Sequence, residues 1–262
     1  MPSIDLHAHI LPGVDDGPEA LEGSLALARA AVAAGTDLMV ATPHVNESRF
    51  IEPGAIPAAV EALAGHLADA GIDLELQAGA EIALPRVLDL DDEDLRALAL
   101  GHSRCVLLES PFAPAGTFEV LIHEVLARGH PVLLAHPERC PAFQREPARL
   151  AALVEAGVHV QITAGALTGR FGTRVREVAL RLLRDGLVHV VASDAHDDVR
   201  RPPGLTAGLA AAEAEIPGLA MRRRWLSEAA PAALLTDTPV PEPTPLPPLR
   251  GWRRARAAWS AR

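Results

Sequence analysis

Five times along this chain an alanine- and leucine-rich stretch stops at a glycine, and a short apolar run follows. Helices are expected near 19–34, 54–70, 117–128, 147–156 and 173–185, closed by Gly35, Gly71, Gly129, Gly157 and Gly186, because a residue without Cβ enters the left-handed C-cap conformation at no steric cost. The intervening apolar runs predict strands at 2–7, 37–42, 73–79, 104–109, 131–135, 158–162 and 187–192. Their near-continuous apolar character fits parallel strands covered on both faces. Seven βα units predict an α/β fold, a seven-stranded (β/α)7 barrel of the TIM-like kind, and 262 residues suit one such domain.

In such a barrel the C-terminal ends of the strands meet on one rim, where active sites lie. Six of the seven runs end in metal-binding residue types: IDLHAHI at 4–10, MVATPH at 39–44, LELQAGAE at 74–81, VLLE at 106–109, VLLAHPER at 132–139 and VVASDAH at 190–196. The rim would gather His7, His9, Asp16, His44, Glu81, Glu109, His136, Asp194 and His196 into one cluster. That mixture of imidazole and carboxylate suits Zn, Mn or Fe better than purely oxygen-ligated Mg or Ca. Strand alternation puts His7 and His9 on one face, and the same argument applies to Asp194 and His196. First and last strands are neighbours in a closed barrel, so the two pairs would face one site. Glu81 and Glu109 each follow an apolar strand, where an ionised carboxylate is costly without a cation; Glu81 is the expected bridge between ions. Asp15 competes with Asp16, and the residues alone leave the choice open. His44, fixed by Pro43, has a helix-capping or substrate-contacting role as its alternative.

Arg139 in HPER and Arg201 in RRPP stand near these residues, and planar guanidinium groups match phosphoryl oxygens; Arg200 could replace Arg201. His66, His102, His123 and His130 read as surface or packed histidines, and His159 and His189, inside strands, as buried ones. A cysteine phosphatase finds no support: Arg145 is one residue too close to Cys140 for a C-x5-R phosphate loop, and Cys105 reads as core.

A net charge of −10 with no lysine and no tyrosine excludes Schiff-base chemistry and argues against a freestanding nucleic-acid binder. Neither cysteine belongs to a C-x-x-C pair, so a reducing cytoplasm is the expected setting. The first strand leaves no room for a signal peptide, and no apolar stretch reaches the ~20 residues of a membrane span. The domain is expected over 1–235. From 236 to 262 the chain turns proline-rich and then arginine-rich, and Trp252 and Trp259 could form an amphipathic helix touching a membrane or partner, against a solvated tail.

DLHAHILPGVDDGP, ATPH, GAEI, LLES, AHPER and ASDAH followed by RPP, in this order, resemble the PHP (polymerase and histidinol phosphatase) superfamily over residues 3 to about 235, and within it the capsule-type bacterial protein-tyrosine phosphatases. The resemblance implies a distorted seven-stranded barrel with three divalent ions, Mn foremost and Zn, Fe or Co as alternatives. One ion would be held by His7, His9, Glu81 and Asp194, a second by Glu81, Glu109 and His136, a third by Asp16, His44 and His196. Arg139 and Arg201 match arginines that the family uses at the phosphate. The implied activity is a metal-dependent phosphomonoesterase, a protein-tyrosine phosphatase in which metal-bound hydroxide attacks phosphorus. Its partner would be a phosphotyrosyl protein such as an exopolysaccharide-regulating tyrosine kinase. Alternatives are a histidinol-phosphate or other small-molecule phosphatase, a phosphodiesterase or exonuclease, and a non-catalytic binding module; oligomeric state stays open. VNESRF after ATPH and the tail depart from the family pattern and bear on substrate recognition.

Overall fold

Residues whose side chains alternate between two apolar environments build the strands. The computed structural model describes residues 2–48, 51–52, 54–112 and 118–247. In chain order these form β1 (Ile4–Ala8), α1 (Leu21–Ala33), β2 (Leu38–Ala41), β3 (His44–Val45), α2 (Ala55–Asp69), β4 (Glu75–Ala78), β5 (Glu81–Ala83), α3 (Asp92–Ala97), β6 (Val106–Glu109) and α4 (Glu119–Ala127). There follow β7 (Val132–Ala135), α5 (Pro141–Arg145), α6 (Pro147–Glu155), β8 (His159–Thr163), α7 (Ala164–Leu167), α8 (Thr173–Arg184), β9 (Val190–Ala192), α9 (Leu205–Glu215) and α10 (Ala230–Leu235).

The five expected helices are α1, α2, α4, α6 and α8, each within two residues of its expected bounds. Their closing glycines all have positive φ, from 66° at Gly71 to 99° at Gly157. Helices α3, α5, α7, α9 and α10 lie outside that pattern. Four of them are six residues or shorter and carry too few turns to show a helical period; the fifth, α9, has an alanine-rich sequence with no polar face to contrast with its buried Leu205, Leu209 and Ala212.

All strand pairs are parallel, but they form two sheets, β1-β2-β4 and β3-β5-β6-β7-β8-β9, where one seven-stranded barrel was expected. The second and third expected strands each break in two. Pro43, which has no N–H to give a ladder, separates β2 from β3. Gly79 and Ala80 separate β4 from β5, and beside β4 the turn residue Gly101 donates its N–H to Ala78 O at 2.7 Å, in the place a sixth strand would occupy. The sheets meet again where Ala8 bridges Ala195 and where His9 N donates to Ala195 O and Asp194 N to His7 O, each at 2.8 Å.

Alternation divides the apolar side chains. Leu107 of β6, Leu133 and Ala135 of β7, and Val190 and Ala192 of β9 join Ile4, Leu6, Leu38 and Val40 in a smaller core, closed by Leu234 and Leu235 of α10. Their strand neighbours Val106, Leu108, Val132, Leu134 and Val191 face the larger core under the helices. Helix α2 supplies Ile56, Val60, Leu63 and Leu67 to it, one face at three- and four-residue spacing. Truncating one such fully buried leucine costs about 2–5 kcal/mol.

Beyond α10 the chain folds back. Trp225 Nε1 donates to Pro241 O at 2.6 Å and Arg222 Nε to Thr244 O at 2.6 Å, while Val240 and Leu246 pack on the two cores. The expected arginine-rich helix around Trp252 and Trp259 lies outside the described residues. Among those described, no helix is long and apolar enough to cross a membrane.

Candidate metal centre

Register across the larger sheet decides which polar side chains share a face. His44, Glu81, Leu107 and Leu133 stand side by side on consecutive strands, as do Ala83, Glu109, Ala135 and Gln161. Leu107, Leu133 and Ala135 belong to the smaller core, so the polar members of both rows crown that core at its C-terminal end. His7 and His9 reach the same place from β1, and Asp194 and His196 from the turn after β9. His136 (φ 37°) and Asp194 (φ 52°) are two of the three described non-glycine residues with positive φ. Left-handed backbone costs such residues of order 1 kcal/mol or more. His136 N donating to Gln161 O at 2.9 Å and Asp194 N to His7 O hold both in place.

Glu81, buried, sits at the centre. Its Oε1 lies 2.7 Å from His136 Nε2; its Oε2 lies 2.9 Å from His44 Nδ1, 3.4 Å from His7 Nε2 and 3.5 Å from His9 Nε2. Asp194 Oδ1 is 3.6 Å and 3.5 Å from the same two Nε2 atoms. Asp16 faces His44 Nε2 at 3.3 Å with one oxygen and His196 Nε2 at 3.5 Å with the other. The side chains form four overlapping groups with ligand atoms mutually within 4.8 Å: His7, Glu81 and His136; His7, His9 and Asp194; His44, Glu81 and Glu109; His9, Asp16, His44 and His196.

All nine expected residues therefore converge, and Asp16, not Asp15, belongs to a group. The partition differs from the expected one at three points, the first being that Glu81 is absent from the group of His7, His9 and Asp194. Glu109 groups with His44 and Glu81 while His136 groups with His7 and Glu81, and His9 joins the Asp16 group as well. The left-handed turn at His136 carries its ring across to β1, away from Glu109.

Two residues outside the expected set aim the histidines. His9 Nδ1 donates to Asp15 Oδ2 at 2.6 Å, and Asp15 also accepts from the backbone N–H groups of His44 and Gly17. The turn requires Gly17, since a Cβ there would strike the His9 carbonyl. His7 Nδ1 donates to Gln161 Oε1 at 3.1 Å. Gln161 is the one polar side chain in the middle of buried β8, a signal the sequence contained. With Nδ1 protonated in both rings, two Nε2 lone pairs face each other 3.2 Å apart. Glu81 Oε2, His44 Nδ1 and His196 Nε2 are buried without a well-formed hydrogen bond among the described residues. Opposed lone pairs and orphaned carboxylate oxygen are what a divalent cation between them resolves, and the imidazole–carboxylate donor set fits transition-metal ions.

The titrations follow from burial and neighbours. Burial alone would lower His44, but Asp16 and Glu81 outweigh it and hold it up at about 10. Burial works to raise Asp15, yet His9 and the two N–H donors bring it down to about 2. Burial, reinforced by the charge of Glu81, lifts Glu109 to about 7.

Arg139 Nη1 and Arg201 Nη2 both donate to Asp194 Oδ2, at 3.2 Å and 2.6 Å. Arg139 lies between two phenyl rings, its guanidinium carbon 4.6 Å from the centre of Phe112 and 4.4 Å from that of Phe171. Arg201 Nε is buried and without a hydrogen-bond partner among the described residues. Arg200 points to solvent beside Asp197. Of the other histidines, His66, His102 and His123 are exposed, His130 is buried, and His159 and His189 are half-buried.

The chain matches the family model described as "Capsular polysaccharide synthesis, CpsB/CapC" over residues 3–230. It is 37% identical to the tyrosine-protein phosphatase YwqE of Bacillus subtilis over 196 residues, 74% of this chain and 77% of that protein. With the tyrosine-protein phosphatase CpsB of Streptococcus pneumoniae it shares 32% over 212 residues, 76% and 85% of the two chains. Its fold superposes with a TM-score of 0.82 on a crystal structure from work on YwqE and CpsB, described as metal-dependent tyrosine phosphatases; identity is 35%, covering 92% of this chain and 99% of that one.

Proposed function

The chain belongs to the CpsB/CapC family of capsular polysaccharide synthesis, and from that premise we propose that it is a metal-dependent protein-tyrosine phosphatase with the His–carboxylate cluster as its active site. The observation that carries the site assignment is Glu81, whose two oxygens lie within 3.5 Å of four imidazole nitrogens. In this reading the cluster holds three divalent ions, manganese first among them. The resemblance assigns His7, His9, Glu81 and Asp194 to one, Glu81, Glu109 and His136 to a second, and Asp16, His44 and His196 to a third, with Glu81 shared; binding of the second ion would have to draw Glu109 from beside His44 towards His136. The two sheets are read together as one distorted (β/α)7 barrel whose second and third strands are each broken once.

Ions bound there would acidify a water towards a pKa of about 7 and place positive charge beside the phosphoryl group. The protein's own residues do the rest. Asp15 and Gln161 keep the Nε2 lone pairs of His9 and His7 turned inward. Arg139 and Arg201 take two phosphoryl oxygens, and the charge that grows on them during in-line displacement is met by guanidinium groups already held on Asp194. The water's oxygen bonds to phosphorus as the phosphorus–phenolic oxygen bond breaks, and the phenol leaves with a proton. Cys140 and Cys105 are buried thiols, Cys105 pushed up to about 12 by burial, which removes them as nucleophiles.

With no tyrosine of its own, the chain must act on another protein, and the family's link to capsule synthesis points to a tyrosine kinase governing polysaccharide export, in the cytoplasm. The test is phosphate release from a phosphotyrosyl peptide by metal-stripped protein with and without manganese, beside an Asp194→Ala, His196→Ala double variant. Manganese-dependent release that the double variant lacks is expected. Release without any metal, or undiminished release by the variant, would overturn the reading.

A further inference from the structure

A cavity of about 190 Å³ opens beside the cluster and shares two of its walls with it. Asp194 and Arg201 form its inner end, and Asp194 is buried. Ala164, Phe171 and Pro203 make its sides. Thr168, Arg170 and Ala207 are exposed and lie at the mouth. Gly208 lets α9 lie directly against α7 beneath it: a Cβ there would sit 2.8 Å from Ala164 Cα. An apolar space of about 150 Å³ accommodates a benzene ring, so this one accommodates a phenyl group with room for its ester oxygen.

Taking the tyrosine phosphatase reading as its basis, the geometry points to this cavity as the subsite for the phenyl ring of the leaving group. The phosphoryl group lies at the inner end on Arg201, whose Nε–H is buried and unpartnered, and on Arg139. Phe171 serves both parts, with one face against the Arg139 guanidinium and its ring along the cavity wall. Asp194 is buried while Thr168, Arg170 and Ala207 are exposed, so a ring entering past those three carries its phosphate inward towards the arginines. A phosphoserine is shorter by that ring, so its peptide backbone would have to enter between Phe171 and Pro203 to bring phosphorus to the arginines. Selection between phosphotyrosine and phosphoserine then comes from the cavity walls, separately from the chemistry at the cluster.

The test titrates phenylphosphonate and methylphosphonate into the manganese-loaded full chain by calorimetry, since neither has a cleavable ester and the two differ in the ring alone. Wild type should bind the phenyl compound about 30-fold more tightly, the factor that about 2 kcal/mol of ring burial gives at 1.4 kcal/mol per factor of ten. Ala207→Phe, which fills the mouth from an exposed helical position, should shrink that ratio to less than about 3-fold. Thr168→Phe fills the mouth from a second exposed position and should do the same, so one poorly folded variant does not decide the matter. A wild-type ratio near one, or a ratio that survives both substitutions, overturns the subsite. Wild type that shows the ratio yet releases no phosphate from a phosphotyrosyl peptide would uphold the ring cavity and overturn the tyrosine phosphatase reading instead.

Discussion

At the C-terminal ends of the strands His7, His9, His44, His136 and His196 meet Asp16, Glu81 and Asp194 at 2.7–3.6 Å. At the opposite ends of β8 and β9, His159 and His189 lie against each other, ring centres 5.0 Å apart, and His189 lies 6.0 Å from Trp225. Carboxylates hold His44 up at about 10, whereas burial presses His189 down to about 4. Histidine is thus held up beside two carboxylates at His44 and is a neutral packing element at His189. What separates these two residues is the pair of carboxylates beside His44; at His136 and His196 burial outweighs the carboxylate and lowers the imidazole.

The sharpest way to break this contrast is to remove the central carboxylate. Glu81→Ala leaves four imidazoles without their common partner, and kcat/KM for phosphotyrosyl peptide should fall by about 10³-fold or more, with bound manganese lost by elemental analysis. Retention of both would dissolve the cluster as a functional unit. Next in size, Arg201→Lys keeps the charge but loses the planar fork and should cost about 10²-fold in kcat/KM, while Arg200→Ala should stay within about twofold. Equal losses at the two positions would mean that Arg201 acts through general charge alone.

A third prediction concerns the base. With its folded pKa near 4 and an unfolded value of 6.5, the neutral His189 contributes fully above pH 6.5. As pH falls from 6.5 to 4 the unfolded chain takes up the proton first, so stability should drop by up to about 3 kcal/mol. His189→Asn, whose side-chain oxygen can still accept from Val160 N as His189 Nδ1 does, should flatten that limb in urea melts taken across pH, leaving turnover at pH 7.5 unchanged. An unchanged slope would remove His189 as its source. The smallest effect is expected for Asp15→Asn, which weakens the grip on His9 Nδ1 without touching a ligand atom. Manganese affinity should fall by about 10–100-fold by calorimetry, with kcat at saturating metal changed far less. A complete loss of binding would make Asp15 a ligand itself.

Much of this contrast is legible in the amino-acid sequence. Apolar runs ending in His, Asp or Glu identified eight of the nine clustered residues, all but Asp16, because parallel strands deliver their C-terminal residues to one rim whatever the details of closure. His159 and His189 also read as packed, since they lie inside predicted strands and not at their C-terminal ends; both are half-buried. The breaks at Pro43 and Gly79 were visible as residue types but not as sheet boundaries, because whether a strand resumes depends on what pairs beside it. The choice between Asp15 and Asp16 was beyond the sequence, for neighbouring residues on a turn point apart in a way only its backbone decides. The exchange of Glu109 and His136 between groups rests on one positive φ, which no run of residue types announces.

The base described by Leu234, Leu235 and the strap from Asp237 to Pro247 carries a consequence for how the enzyme can be mounted. Parallel β1 starts at that end, α10 packs beneath it, and the strap lies against Trp225 and Arg222, so both borders of the described chain emerge on the floor opposite the rim. A tether attached at either border would hold the molecule by its floor and leave the mouth of the cavity facing outward.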